Sequence, residues 1–444
     1  MLAGTLLNPL NSSMIAVVLA LIQADFKISV ATASWLLSSF ALAAAVAQPV
    51  MGRLADLFGP RRIFCLGLLV VGVASGLAPL APAFGGLIAC RMLQACGTSA
   101  AYPAGLAIVR AGDPHGQAPA GTLGAITITS SVSVALGPVL GGFLAARAGW
   151  PAIFLVNIPI TAVSLLLAWR WLPADATPGR VTLGASALRS VDVPGIALFS
   201  GMLASLLAFL LSLSGSPRWP LLPVALIAAA VLVRRECGVA EPFLNVRMLA
   251  AHRPLVGVYA QFAGVNIVFY AVFFSLPLWL ERVRGFESGG AGLLLLPVAG
   301  VGILATPVAT RLINRAGPGP ALITGACLLT VGSLLLLVCT ATTPVSVLLA
   351  VGVVLGIPNA FNNLGLQAAL YEYAPARHMG AASGQFQTFR YVGAILSTSL
   401  LGLAFGRTVT SHGLHLIAYV LAGVSGLLLV TSVTTRWRQR IRGE

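Results

Sequence analysis

Apolar runs of about twenty residues, the length that spans a bilayer core as a helix, alternate along this chain with short clusters of Arg, Gly, Pro and Asp. Reading each run between its charge or turn clusters predicts fourteen helices, at 5–24, 33–51, 63–82, 86–109, 121–146, 151–171, 193–213, 219–235, 254–280, 288–310, 319–340, 344–370, 380–406 and 412–435. The fold class this implies is an all-α polytopic membrane protein.

Composition narrows the picture further. Of 444 residues, 58% are hydrophobic and 8% charged, where a soluble domain carries about 25% charge. So few ionic groups cannot cover a water-soluble surface, which excludes a soluble enzyme, a nucleic-acid binder and a disordered scaffold. The net charge of +15 is spread thinly between the apolar runs. With fourteen spans both termini share a side. Placing them in the cytoplasm puts 18 of the 26 cations on inner loops and 6 on outer loops, with Arg91 and Arg390 inside spans. The expected location is the plasma (inner) membrane, with both termini cytoplasmic. The six Cys form no CxxC and no zinc spacing, and the N-terminus lacks the basic region of a cleavable signal.

The chain repeats itself. Residues 48–60, QPVMGRLADLFGP, align with 306–318, TPVATRLINRAGP, at a constant offset of 258. That offset is eight helices, whereas two six-helix halves alone would need six. The organisation expected is a six-helix bundle over 1–172, a linker with two inserted helices over 173–253, a second six-helix bundle over 254–435, and a basic cytoplasmic tail over 436–444.

Three motifs carry chemistry. The loop between spans 2 and 3 holds Gly52, Arg53, Asp56, Gly59, Arg61 and Arg62. Its glycines allow a tight turn, and Asp56 can cap a helix N-terminus or pair with Arg. Span 4 carries Arg91 and Gln94 in RMLQACG. A cation inside a span costs about 2.5–3.5 kcal/mol on insertion scales, so Arg91 is expected to face a polar interior. Span 5 carries Gly137, Pro138, Gly141 and Gly142 in GPVLGG, where Pro bends the helix and Gly admits a close neighbour. Trp150, Phe154, Asn157 and Pro159 follow at the start of span 6.

In order and spacing these motifs resemble the major facilitator superfamily, specifically its fourteen-span drug:proton antiporter branch. The resemblance implies a major facilitator fold of two six-helix bundles plus two inserted helices. It implies that the 52–62 loop latches the halves, that Arg91 and Gln94 assist coupling, and that the GPVLGG bend seals the inward-facing site, as in exporters. Span 1 departs from the pattern. Asn11, Ser13 and Ala16 stand where the family has an acid, a Thr and an Asn, and Ala20 replaces a Pro. Asp25 matches an acid at the outer end.

A transport site is expected near mid-depth between the halves. Candidate lining residues are Asn11, Gln261, Asn266, Tyr270, Asn359, Asn362, Asn363, Gln387 and Arg390. For any single Asn a helix–helix hydrogen bond competes with substrate contact. None of the 11 acids falls at mid-span, so a neutral or anionic, largely apolar substrate fits better than a cationic one. The function expected is proton-coupled export of small lipophilic compounds or drugs by alternating access. A facilitator or importer of a metabolite is the alternative. No HExxH, GxSxG or Walker pattern stands in suitable context, so no enzyme is expected. The expected partners are a small-molecule substrate, the lipid bilayer and protons, with no nucleic acid, no cofactor beyond the proton gradient, no metal, and a monomeric state.

Overall fold

The computed structural model of the chain describes residues 6–101, 103–105, 108, 120–172, 175, 192–213, 216–239, 247, 253–373, 379–406 and 408–442. Among them the regular structure is helical, with no strand. The chain opens with α1 (Leu7–Met14), a 3-10 turn (Ile15–Val17) and α2 (Leu19–Asp25). There follow α3 (Val30–Phe58), α4 (Pro60–Leu77), α5 (Phe84–Ser99), α6 (Ala120–Ala148), α7 (Ala152–Leu155) and α8 (Asn157–Trp171). Next come α9 (Val193–Ser212) and α10 (Leu221–Glu236), then α11 (Arg253–Arg282), α12 (Ser288–Ala316), α13 (Pro318–Leu335), α14 (Val345–Tyr373), α15 (Met379–Phe405) and α16 (Ser411–Arg442).

Every expected run contains a helix, but they differ in reach. Among the described residues ten helices are long and apolar enough to cross a membrane, or eleven if the bent pair α1 and α2 is one span. The other runs correspond to α5, α6 and α10. α10 has 16 residues, or about 24 Å at the usual rise, under the ~30 Å of a bilayer core; α5 is described over Phe84–Ser99, with further helical residues at 101, 103–105 and 108. α6 runs over 29 residues, and among its described side chains Val132–Ala148 is an apolar stretch. The first run, expected as one continuous helix, bends by 60° between Val17 and Leu19. The bend falls where Ile15, Val17 and Val18 crowd together, and β-branched residues are stiff in a helix.

The sequence repeat reappears in the helix boundaries. α3 and α12 each have 29 residues and end at glycines with φ of 99° and 76°, Gly59 and Gly317. α4 and α13 each have 18 residues, begin with Pro and run into a 3-10 turn. Pro fits the first helical position because its missing N–H would have no partner there. The same 258-residue step relates all these bounds, and α9 and α10 stand between the copies.

Outward faces are apolar. Leu66, Leu69, Val73 and Leu77 form an exposed stripe on α4 at helical spacing, and Leu304 is 78% exposed. Such stripes are stable against acyl chains rather than water. Inside, α3 lies along α15, α6 along α12, and α9 leans on both α3 and α15. Buried Ala41, Ala44 and Ala45 let α15 approach, and Ser38 and Thr398 share a hydrogen bond across that seam. The linker 176–191, the segment 248–252 and the side chains of the 436–444 tail lie outside the described residues.

Candidate functional site

A cavity lies between helices of the two halves. Helix 1 and the turn after it supply Ser12 and Ile15, α3 supplies Leu37, Phe40 and Ala41, and α5 supplies Arg91. From the second half come Tyr270 and Phe274 on α11 and Tyr391 and Ala394 on α15. Arg91 is 1% exposed. Its guanidinium lies 4.3 Å from the Phe40 ring centroid, and Nη1 donates to Gln94 Oε1 at 3.0 Å. Gln94 is held in turn by its Nε2–H donating to Ser75 Oγ at 2.7 Å. Across the cavity Arg390 Nε donates to the Tyr270 hydroxyl at 3.2 Å. The Tyr391 hydroxyl donates to Asn8 Oδ1 at 3.3 Å, and Asn8 Nδ2 donates to Thr98 Oγ1 at 3.1 Å. A polar chain thus crosses between the halves beside the cavity.

The remaining candidate amides do not converge on this cavity. Asn11 and Asn157 exchange two hydrogen bonds, at 3.1 and 2.9 Å, and both are buried. The residue standing in place of the usual acid therefore ties α1 to α8. Asn359 lines a second, apolar cavity within the second half, beside Val268, Phe269, Val298 and Leu355. Asn363 donates back to Asn359. Asn362 packs on Gly325, Asn266 donates to the Phe262 carbonyl at 2.8 Å, and Gln261 reaches Thr431 at 3.4 Å. Gln387 is half-buried on α15. Replacing Asn11 with Leu is expected to lower stability by about 1–2 kcal/mol, because the buried Asn157 amide loses its partner. The double change Asn11→Leu with Asn157→Leu should recover much of that loss in a detergent melting measurement.

The GPVLGG segment of α6 lies between two other helices at backbone distance. A Cβ on Gly137 would collide with the Ser13 side chain, and one on Gly141 would stand 2.9 Å from the Met14 carbonyl. A Cβ on Gly142 would meet the Ser288 carbonyl and lie 2.9 Å from Gly289 Cα. The Pro138 carbonyl approaches Gly292 of α12 equally closely. The same end carries Trp150 Nε1 donating to Asp25 at 2.8 Å and Arg282 donating to the Ala20 carbonyl at 2.8 Å. The halves are therefore in contact at the Asp25 end.

At the other end lies the 52–62 loop. Gly59 has φ of 99° and ends α3, and Gly52 sits 3.5 Å from the Pro103 side chain, measured from a built Cβ. The side chains of Arg53 and Asp56 lie outside the described residues. The carboxylate seen capping a helix here is Asp175. It accepts from the backbone N–H of Arg61 at 2.9 Å and of Arg62 at 3.1 Å, at the start of α4. Arg61 also donates to the Trp169 carbonyl at 2.7 Å. Only a glycine at 59 leaves room for that carboxylate. Nothing local to Asp175 signals this role, since it follows a span end and its partners are over a hundred residues away. Asp175→Ala should cost about 1 kcal/mol through loss of the cap. Its melting temperature should fall, with Asp175→Asn in between.

Comparison with known proteins agrees with this architecture. The sequence profile of the Major Facilitator Superfamily matches residues 1–398. The chain is 40% identical over 432 residues to the uncharacterized MFS-type transporter YwoD of Bacillus subtilis, covering 96% of this chain and 94% of that one. It is 31% identical over 418 residues to the tetracenomycin C resistance and export protein of Streptomyces glaucescens, covering 91% of this chain and 75% of that one. The solved structure of the nucleoside transporter NupG has the same fold, with a TM-score of 0.63 at 12% identity over 98% of both chains. With a profile spanning most of its length and a fold that agrees end to end, the chain belongs to the Major Facilitator Superfamily and is a membrane transporter, not an enzyme.

Proposed function

We propose that the protein exports small lipophilic compounds from the cell by proton-coupled alternating access, as a member of the fourteen-span drug:proton antiporter branch. In this reading 1–172 and 254–435 are the two moving bundles, 173–253 carries the inserted pair, and both termini lie in the cytoplasm of a monomer in the inner membrane. The observation that carries it is the seam at the Asp25 end. There the GPVLGG backbone of α6 is pressed between helix 1 and α12, above a mostly apolar cavity. A glycine contact of this kind can close tightly and part cleanly, because no side chain interdigitates across it. The named export activity of the Streptomyces relative supports the same direction.

Arg91 and Gln94 are the proposed coupling pair, and the carboxylates proposed to take part in coupling are Asp25, Asp56 and Glu372, the last at the end of α14. Purified protein in liposomes with an imposed pH gradient tests this. A lipophilic dye should move against its gradient only while the pH gradient lasts, and an uncoupler should stop it. Equal, gradient-independent flux in both directions would instead establish a facilitator. If substitution of Asp25, Asp56, Arg91 and Glu372 leaves coupling unchanged, the assignment of the coupling residues fails.

A further inference from the structure

The geometry points to a carboxylate subsite in the cavity between the halves, built from the free edge of Arg91 and the Tyr270 hydroxyl. It selects lipophilic monoanions as substrates. The inference rests on the reading above only in taking that cavity as the substrate site.

The unpartnered edge of Arg91, a residue of the cavity wall, carries the argument. Of the three guanidinium nitrogens, Nη1 is held by Gln94. Nε and Nη2 are buried and have no hydrogen-bond partner among the described residues. Those two nitrogens form one side of the guanidinium, the side that grips both oxygens of a carboxylate in a fork. Phe40 covers the face of the group and Gln94 its far corner, so the plane of the fork is set before anything binds. A cation buried this way among largely apolar side chains favours an anion, because low-dielectric surroundings screen its field little.

The opposite wall agrees. The Tyr270 oxygen accepts from Arg390, which polarises the hydroxyl. Its own proton has no acceptor among the described residues, so it can donate to a second anion oxygen. No Asp or Glu lines the cavity. The rest of the lining that matters, Ile15, Leu37 and Phe274, is apolar and suits a hydrocarbon or aromatic body. A single negative charge on an apolar frame therefore matches the cavity, and an ammonium would face Arg91 without a counter-charge.

The test is equilibrium binding of three probes of one shape to the purified full-length protein in detergent. They are 2-naphthoate, 2-naphthamide and 2-naphthylmethylammonium, read by calorimetry near neutral pH. The carboxylate should bind about tenfold or more tighter than the amide, and the ammonium should not bind measurably. Arg91→Gln should erase the preference for carboxylate over amide, and Arg91→Lys should keep only part of it because the fork is lost. Tyr270→Phe should weaken carboxylate binding several-fold without affecting the amide equally. Should Arg91→Gln fail to fold, the probe series on the native protein and on Tyr270→Phe still decides. Equal binding of carboxylate and amide, tighter binding of the ammonium, preference surviving Arg91→Gln, or no binding of any probe would each overturn the subsite. The measurement involves no turnover. Loss of anion preference with intact gradient-driven transport overturns the subsite alone. Intact preference without such transport overturns only the export reading.

Discussion

Gly142→Leu should nearly abolish transport while leaving the protein folded. The built Cβ meets main-chain atoms only: the Ser288 carbonyl, and Gly289 Cα at 2.9 Å. No rotamer change relieves a clash with backbone, so α6 and α12 must separate at the Asp25 end. Overpacking of this kind costs about 1–3 kcal/mol, and it falls on the state in which the seam is shut. A shift of about 2 kcal/mol changes the ratio of two conformations some thirty-fold. The shut form would then be depleted in favour of one open at that end. The readout is alkylation of an Ile15→Cys cavity reporter by an impermeant reagent added from the Asp25 side, with the six native cysteines removed. Gly142→Leu should speed the reaction and lower transport together. Gly201→Leu is the matched control, because nothing stands within 4 Å of a Cβ there. Native accessibility and native transport in Gly142→Leu would show that the seam does not gate.

Arg235→Met should lower stability measurably. Arg235 stands 2.5 Å from Asp192 and 3.6 Å from Glu236, where α9 and α10 meet. Asp192 is 4% exposed and Glu236 fully buried. Asp192 also accepts from the Gly195 N–H at 3.2 Å, capping α9, and holds a left-handed φ of 51° to do so. Without the arginine, the buried Asp192 and Glu236 carboxylates would lose the cation that stands against both of them. Removing one member of a buried ion pair costs up to about 3–5 kcal/mol, and partial exposure of Arg235 places this site toward the lower end. Thermal unfolding in detergent checks it. Adding Glu236→Gln to Arg235→Met should recover a large part of the loss, and unchanged melting of the single variant would refute the role. Because α9 leans on α3 and α15, the hairpin is tied to the line where the two halves meet.

Much of the fold is legible along the chain because it is encoded locally. Apolar length places the helices, and the glycine–proline pairs at 59–60 and 317–318 mark where one helix ends and the next begins. The 258-residue repeat predicts paired elements, and α3 with α4 and α12 with α13 match it to the residue. The bend at Val18 and the short reach of α10 are less visible, since both depend on where a helix actually breaks inside an apolar run.

The candidate site is a different case. Arg91, Gln94, Tyr270, Arg390 and the GPVLGG glycines are identifiable by type and position, because a cation, an amide or a glycine run is conspicuous within an apolar span. Asn11 and Asn359 carry equally conspicuous amides, yet one pairs with Asn157 and the other lines a separate cavity. Asp175 caps α4 from a linker that has no helical pattern at all.

The order of residues thus suffices for the membrane class, the helices, the internal repeat and the choice of polar side chains admitted to the interior. Which of those side chains meet is set by packing. A few tens of degrees of helix rotation turn an amide from a cavity toward a neighbouring helix, and that rotation depends on contacts between residues a hundred or more positions apart. The same packing leaves one edge of Arg91 free, with Gln94 on its other corner and Phe40 on its face. No property of the RMLQACG segment alone fixes that edge, because it is defined by Ser75 behind Gln94 and by the Phe40 ring of a different helix.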